Sequence, residues 1–357
     1  MRQKTFQFLK LDNQQKGDLM LSDKFFEKGN EFFGIETPII CGAMTWVSDP
    51  QLVSAVSNAG GFGVLAGGNA PVDILKSQIE ETQKLTDKPF GLNLITIAPN
   101  YPKQLELVAE MNLPFVIFAG SFPRKKEVQI AKESGAKVLC FASTKSIADA
   151  MIRYGADALI LEGMEAGGHV GHVSTVVLLQ QVLFEVSDDI PIFVGGGIGT
   201  GKLSAHLLMM GAAGIQLGTR FAVAKESKVH QKFKEKIFKS NARSAVSTPQ
   251  FDSRLPVVAV RAIQNKAHDE FSKMQFDLLQ KLDSKEITRH EAQMQVENFW
   301  VGSLKNAVID GDIENGSLMA GQSAGLVEKE QTVKEIIDEM VNDIEKELAE
   351  IKSKLNF

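Results

Sequence analysis

The chain has 357 residues, 44% of them hydrophobic and 23% charged, which suits a large packed core and argues against disorder. Its 39 basic and 44 acidic side chains leave a net charge of −5, so nothing draws it as a whole to nucleic-acid phosphates. Two cysteines, Cys41 and Cys140, exclude a disulfide framework, a four-thiolate zinc site and an all-cysteine iron–sulfur cluster. With no uninterrupted apolar stretch at the N-terminus and no apolar run of about 18 residues, a cytoplasmic protein without a membrane span is expected.

The first 33 residues are polar apart from the pairs Phe25–Phe26 and Phe32–Phe33, and are expected to form an N-terminal arm (1–33) over the bottom of the following domain. Strands are then predicted at Pro38–Met44, Phe62–Gly67, Phe90–Ile97, Phe115–Ala119, Lys137–Ala142, Ala158–Glu162, Ile192–Gly195 and Gly214–Gly218. Most are continuous apolar runs, the pattern of strands covered on both faces. Helical spacing fills the intervals, as in Pro71–Thr86, Pro102–Met111, Lys145–Tyr154 and Gly201–Met210. Pro71 and Pro102 suit first turns, while Gly155 and Gly211 suit the position after a helix end. Eight strands, the first seven each followed by a helix-length connection, predict an α/β fold: a closed (β/α)8 TIM barrel over residues 34–224. An open doubly wound sheet is the competing arrangement.

Beyond Val223 the rhythm changes to an additional, mainly helical C-terminal segment. Lys225–Ser240 reads as basic and helical, Phe251–Pro256 as loop, Ala262–Leu282 and Thr288–Val296 as helices, and Gly311–Gly325 as a Gly- and Ser-rich loop. This stretch, 225–326, is expected to cover the active site. In Gln331–Leu355, apolar residues at 333, 336, 337, 340, 341, 344, 348, 351 and 355 mark one face of an amphipathic helix within 327–357. It is expected to pack on the barrel exterior or on a neighbouring subunit.

Two glycine loops stand at predicted strand ends: Gly195-Gly196-Gly197-Ile198, and Gly218-Thr219-Arg220 one helix later. In a barrel they lie side by side, where backbone N–H groups can hold the phosphate of a mononucleotide. The alternative for either loop alone is a tight turn. The pattern is not a dinucleotide fingerprint, because Thr200 takes the third glycine position, nor a Walker A loop, because Leu203 replaces the magnesium-binding Ser or Thr.

The densest polar cluster is Glu162-Gly163-Met164-Glu165-Ala166-Gly167-Gly168-His169-Val170-Gly171-His172, again at a strand end. His169 is the candidate proton donor or acceptor. His172 is expected to be structural and hydrogen-bonded, and a glycine-rich loop gives the two imidazoles no shared face for a metal, so no metal site is expected. Gly321-Gln322-Ser323-Ala324-Gly325 matches a serine elbow, but no apolar strand leads into it.

Together these segments resemble the flavin-dependent family that joins nitronate monooxygenases to type II enoyl-acyl-carrier-protein reductases. The resemblance runs from about Gly34 to Met340. It rests on Pro38–Met44, Ser57–Gly63, Gly91-Leu92-Asn93, Glu162–Gly171, Gly195–Ile198, Gln216–Phe221, Arg261-Ala262-Ile263 and Asn315–Gln322. It implies that Asn93, Glu162, Gly167, Gly196, Gly197, Gln216, Leu217, Gly218 and Thr219 hold FMN. It also implies that Gly42, Ala43 and Met44 lie against the flavin, and that His169 is catalytic.

Monooxygenases of the family typically carry Gln where this chain has Glu162 and Arg where it has Val170, so the resemblance is closer to the reductases. It implies reduction of trans-2-enoyl-acyl-carrier-protein thioesters in fatty acid synthesis, with NAD(P)H as transient co-substrate. A homodimer and docking of the carrier protein are also implied; Arg124-Lys125-Lys126 is a candidate docking patch, with a solvated helix start as its plainer reading. The alternative is a nitronate monooxygenase oxidising alkyl nitronates with O₂. A non-catalytic phosphate-ligand barrel is a third reading. A desaturating branch that carries a cysteine-bound cluster is excluded by the two cysteines.

Overall fold

The computed structural model describes residues 20–186, 190–255 and 258–355. Residues 1–19 of the predicted arm, and Pro256 of the predicted loop, lie outside them. In chain order the first half runs α1 (Leu21–Phe33), β1 (Ile39–Cys41), α2 (Pro50–Asn58), β2 (Phe62–Ala66), α3 (Val72–Leu85), β3 (Phe90–Ile95), α4 (Tyr101–Glu110), β4 (Phe115–Ala119), α5 (Lys125–Glu133), β5 (Lys137–Ala142), α6 (Lys145–Tyr154) and β6 (Ala158–Glu162). There follow β7 (Gly168–His169), α7 (Thr175–Leu178), a π-helical stretch Leu179–Leu183, α8 (Phe184–Val186), β8 (Ile192–Gly195), α9 (Gly201–Met209), β9 (Gly214–Leu217) and α10 (Thr219–Ala222). Strands β1, β2, β3, β4, β5, β6, β8 and β9 close into a parallel barrel in that order, as the apolar runs predicted. The open doubly wound alternative is overturned by the β9–β1 pairing of Ile39 with Ile215 and Cys41 with Leu217.

Side-chain parity along the strands decides what faces the barrel axis. Ile40, Phe62, Val64, Ile117, Leu139, Ile160 and Phe193 pack in one cluster inside the barrel, while Ile39, Cys41, Leu92, Leu94, Leu159, Leu161, Ile215 and Leu217 pack outward against the helices. With a period of two, Gly42, Asn93, Glu162 and Gln216 therefore face inward at the carboxyl ends of β1, β3, β6 and β9. Both thiols face the helix layer, and burial pushes Cys41 and Cys140 up to about 12, which leaves them inert.

The bottom of the barrel is closed by the end of α1. Phe33 stacks on Phe62 with ring centroids 3.9 Å apart and also meets Phe115 and Phe193 at 5.4 and 4.8 Å. Truncating a fully buried phenylalanine forfeits transfer energy and leaves a void. Phe33→Ala is expected to lower unfolding free energy by about 3–5 kcal/mol, read by urea denaturation. The other face of α1 packs Phe26 against Ala205 and Leu208 of α9 and against Ile344 and Leu348 of α14 (Val333–Lys354). The amphipathic C-terminal helix thus lies on the barrel exterior.

The segment after the barrel holds α11 (Gln231–Phe238), β10 (Ala245–Ser247), β11 (Val260–Ile263), α12 (Lys266–Asp283), α13 (Arg289–Val308) and β12 (Leu318–Met319). Strands β10, β11 and β12 form a small antiparallel sheet, to which β7 is added through β11. Four sequence expectations change here. The helix expected to begin at Ala262 instead begins at Lys266, because Val260–Ile263 pairs on both edges; Asn265 caps the helix by accepting from Ala267 N. The helix expected to stop at Val296 continues to Val308, since Trp300, Leu304 and Ala307 are buried on its inner face. Lys225–Ser240 is helical only over Gln231–Phe238. The Gly311–Gly325 loop contains β12 and a 3₁₀ turn, Gln322–Leu326, so the serine-elbow pattern sits in that turn with no strand–helix frame.

Candidate active site

A cleft of about 490 Å³ opens at the carboxyl ends of the barrel strands, within the volume range of small-ligand sites. Its walls include Ala43, Met44, Asn93, Glu162, Gly167, His169, Gly218 and Thr219. Gly42 and Gln216 are not among its walls but lie together at the carboxyl ends of the neighbouring strands β1 and β9; a Cβ on Gly42 would stand 3.0 Å from Gln216 Cδ. Gly196 and Gly197 form the turn after β8, beside the loop after β6, while the side chain of Leu217 points away into the helix layer. That outward direction follows from strand parity, so only the backbone of Leu217 can serve a ligand; its carbonyl accepts from Gly42 N at 3.1 Å. The two glycine turns are neighbours because β8 and β9 pair with Gly195 opposite Gln216.

Gly196 and Gly197 have φ of 94° and 75°, a left-handed pair that turns the chain sharply at the strand end. The N–H groups of Gly197 and Gly218 donate to no other described residue, which leaves donors for an anionic ligand. Four bonds lace the surrounding loops together. Glu165 accepts from Thr175 N and Oγ1 at 3.0 and 2.8 Å, Thr175 Oγ1 also reaches the carbonyl of Gly196, and Gly321 N donates to Thr219 Oγ1 at 3.0 Å.

Arg261 on β11 was part of the sequence resemblance without a role. Almost wholly buried, it donates from Nε to the carbonyl of Met164 at 3.0 Å and from Nη1 to that of Ala245 at 2.6 Å. Its strand also pairs with the histidine loop, placing Val260 opposite His169 and Arg261 opposite Gly168. The segment carrying His169 is therefore a strand of the covering sheet rather than a free loop.

His169 lies at the rim, 37% exposed, with Nε2 3.5 Å from Oε2 of Glu297 on α13. Sequence reasoning missed Glu297 because it ended that helix one residue earlier. The legible signal was an acidic residue on a stripe otherwise made of Met294, Val301, Leu304 and Val308, all of which line the cleft. His172 is exposed and makes no side-chain hydrogen bond to a described residue, which corrects the expectation of a hydrogen-bonded structural role; the loop leaves β7 before it and turns outward.

The carboxyl of Glu162 makes no hydrogen bond to another described residue, and burial pushes it from the ordinary 4.5 up to about 8. The neutral form prevails at pH 7, so Glu162 can donate one hydrogen bond and accept another, as an amide would. A carboxyl that binds its proton more tightly folded than unfolded contributes stability in full below about pH 4.5, and loses it as pH rises towards 8. The ligand-free protein is expected to lose a few kcal/mol across that window, and Glu162→Gln to flatten the dependence. Urea unfolding of both forms at pH 5 and pH 8 checks this.

The family profile described as "Nitronate monooxygenase" matches residues 27–101 and 95–343. A Mycobacterium tuberculosis protein named "(3aS,4S,5R,7aS)-5-hydroxy-7a-methyl-1-oxo-octahydro-1H-indene-4-carboxyl-CoA dehydrogenase" is 32% identical over 338 residues, covering 88% of this chain and 94% of that protein. A "Probable nitronate monooxygenase" of Staphylococcus aureus is 25% identical over 360 residues, covering 88% and 96%. Among solved structures, FabK from Thermotoga maritima superposes with a TM-score of 0.80 at 36% identity, covering 91% of this chain and 98% of that one.

Proposed function

Since the chain belongs to the nitronate monooxygenase family of oxidoreductases, whose members are generally flavin-dependent, we propose that it is an FMN enzyme acting on acyl thioesters. Its favoured direction is reduction of trans-2-enoyl thioesters with NAD(P)H. The observation that carries this reading is the placement of His169 on the wall of the cleft that Asn93 and Glu162 line from separate strands, with Gln216 facing the barrel axis beside Gly42. The named CoA thioester substrate of the mycobacterial relative supports the substrate class.

The residues present fit such a cofactor. The free N–H groups of Gly197 and Gly218, with the Thr219 hydroxyl, are suited to its phosphate. Asn93, neutral Glu162 and Gln216 offer polar partners, and Ala43 and Met44 an apolar surface. When bound, a flavin would supply the hydride chemistry that the reduction requires. His169 supplies the matching proton at the α-carbon, or withdraws it in the reverse direction. The helix α13 forms one wall of the cleft and limits water there. It is anchored by Trp46 Nε1, which donates to the carbonyl of Val301 at 3.2 Å.

The test is the visible spectrum of the purified protein followed by anaerobic titration. A yellow protein bleached by NADH or NADPH and recoloured by a crotonyl thioester supports the reductase. Bleaching by a saturated acyl-CoA alone reverses the direction. Bleaching by a nitronate and not by nicotinamide replaces the reading with the activity named for the staphylococcal relative. A colourless protein that takes up no FMN ends it.

A further inference from the structure

We infer that Glu297 is a positioning residue that fixes the tautomer of His169, so that Nδ1 is the imidazole atom that exchanges a proton with substrate. The inference rests on the proton-transfer role proposed above for His169. The carboxylate of Glu297 is 15% exposed and stands 3.5 Å from His169 Nε2. Neither group has another ion-pair or hydrogen-bond partner among the described residues, so each is the other's only side-chain neighbour of this kind. Nδ1 of His169 is correspondingly unengaged.

The position of Glu297 on its helix makes a packing role a poor explanation. Met294, Val301, Leu304 and Val308 share its face at spacings of three and four, and all line the cleft. Packing alone would place an apolar residue there, and a carboxylate mostly withdrawn from water is costly without a partner. Both members of the pair are held from behind. His169 is in register with Val260 on β11, and Val260 shares a core with Phe271 of α12 and Val296 and Trp300 of α13. The helix carrying the carboxylate and the strand carrying the imidazole are therefore tied through one packed core.

At 3.5 Å the contact is an ion-pair distance rather than a closed hydrogen bond, and a sub-ångström tilt closes it. A carboxylate only accepts, so the closed pair requires a proton on Nε2. That leaves the Nδ1 lone pair free in the neutral ring, and an N–H there when the ring is charged. A carboxylate that holds the imidazole in one tautomer, without itself taking the proton, is the logic of hydrolase triads. Here it serves a carbon acid instead of a hydroxyl.

The experiment reads the ring directly. Histidine-selective ¹⁵N labelling of the protein as purified, with long-range ¹H–¹⁵N correlation, separates the six imidazoles, and the His169 signals are those missing from His169→Ala. The wild type is expected to show a single Nε2–H tautomer at His169 when the ring is neutral. Glu297→Gln, which keeps volume, and Glu297→Ala are both expected to lose that preference. Steady-state kcat on the thioester is expected to fall on the order of 10²-fold in both variants, with KM changed less than about threefold and flavin reduction by nicotinamide unchanged. An Nδ1–H tautomer in the wild type, an unchanged ring in both variants, or a loss confined to KM overturns the assignment. Failure of the wild type to turn over any thioester would instead remove the proposed function, while the ring signals still decide the His169–Glu297 pairing.

Discussion

His169→Ala is expected to retain bound flavin and to lower kcat on an enoyl thioester by about 10²–10⁴-fold, the range for loss of a well-placed general acid or base. The separation of the two effects follows from how the residue is held. Its backbone pairs with Val260, and the next residue donates from Val170 N to the carbonyl of Ala259 at 2.9 Å, so the strand survives loss of the ring. The imidazole itself is partly exposed at the rim and has one charged neighbour, so truncation opens no core cavity. Flavin content from the visible spectrum, anaerobic reduction by nicotinamide and steady-state turnover measured on one preparation give the three readings. If turnover matches the wild type, the proton comes from another group and His169 leaves the chemistry.

The barrel was legible because its strands are apolar on both faces, and that demand is written residue by residue. Ile39 and Ile40, or Leu159 and Ile160, are consecutive hydrophobes serving two different cores. The inward polar positions were legible for the same reason: Asn93, Glu162 and Gln216 interrupt those runs at the axial face. The covering layer was not. Val260–Ile263 is four residues long and is paired by β10 on one edge and, on the other, by segments about 90 residues earlier and more than 50 later, which leave no local signature. Glu297 was missed for a related reason. Its meaning depends on which face of α13 turns towards the cleft, and the helix looked finished before that face was complete. Arg261 carries its role in two backbone carbonyls, which no sequence displays.

The second large effect is expected at a glycine. A Cβ on Gly167 would stand 2.5 Å from the carbonyl carbon of Ala320 and 2.6 Å from Gly321 N, distances that real side chains do not adopt. The obstacle is backbone on both counts, so no rotamer change relieves it and two segments must part by about an ångström. Those segments carry the site. Gly321 N donates to Thr219 Oγ1, and Gln322 N to the carbonyl of Glu165 at 3.0 Å, so separation strips the cleft of two cross-links at once. Gly167→Ala is therefore expected to weaken FMN binding by at least about 10²-fold, near 3 kcal/mol. Gly168 supplies the contrast. Its φ of 75° strains an alanine by roughly 1 kcal/mol, yet the space beside it is open, with Met319 Sδ as the nearest atom at 3.8 Å. Gly168→Ala should then keep most of its cofactor affinity. Flavin titration of the two variants, monitored by quenching of free-flavin fluorescence, separates close approach from backbone conformation. Equal losses in both would mean that the histidine loop tolerates no change of shape, and that the contact between Gly167 and Ala320 has no special part in holding the cofactor.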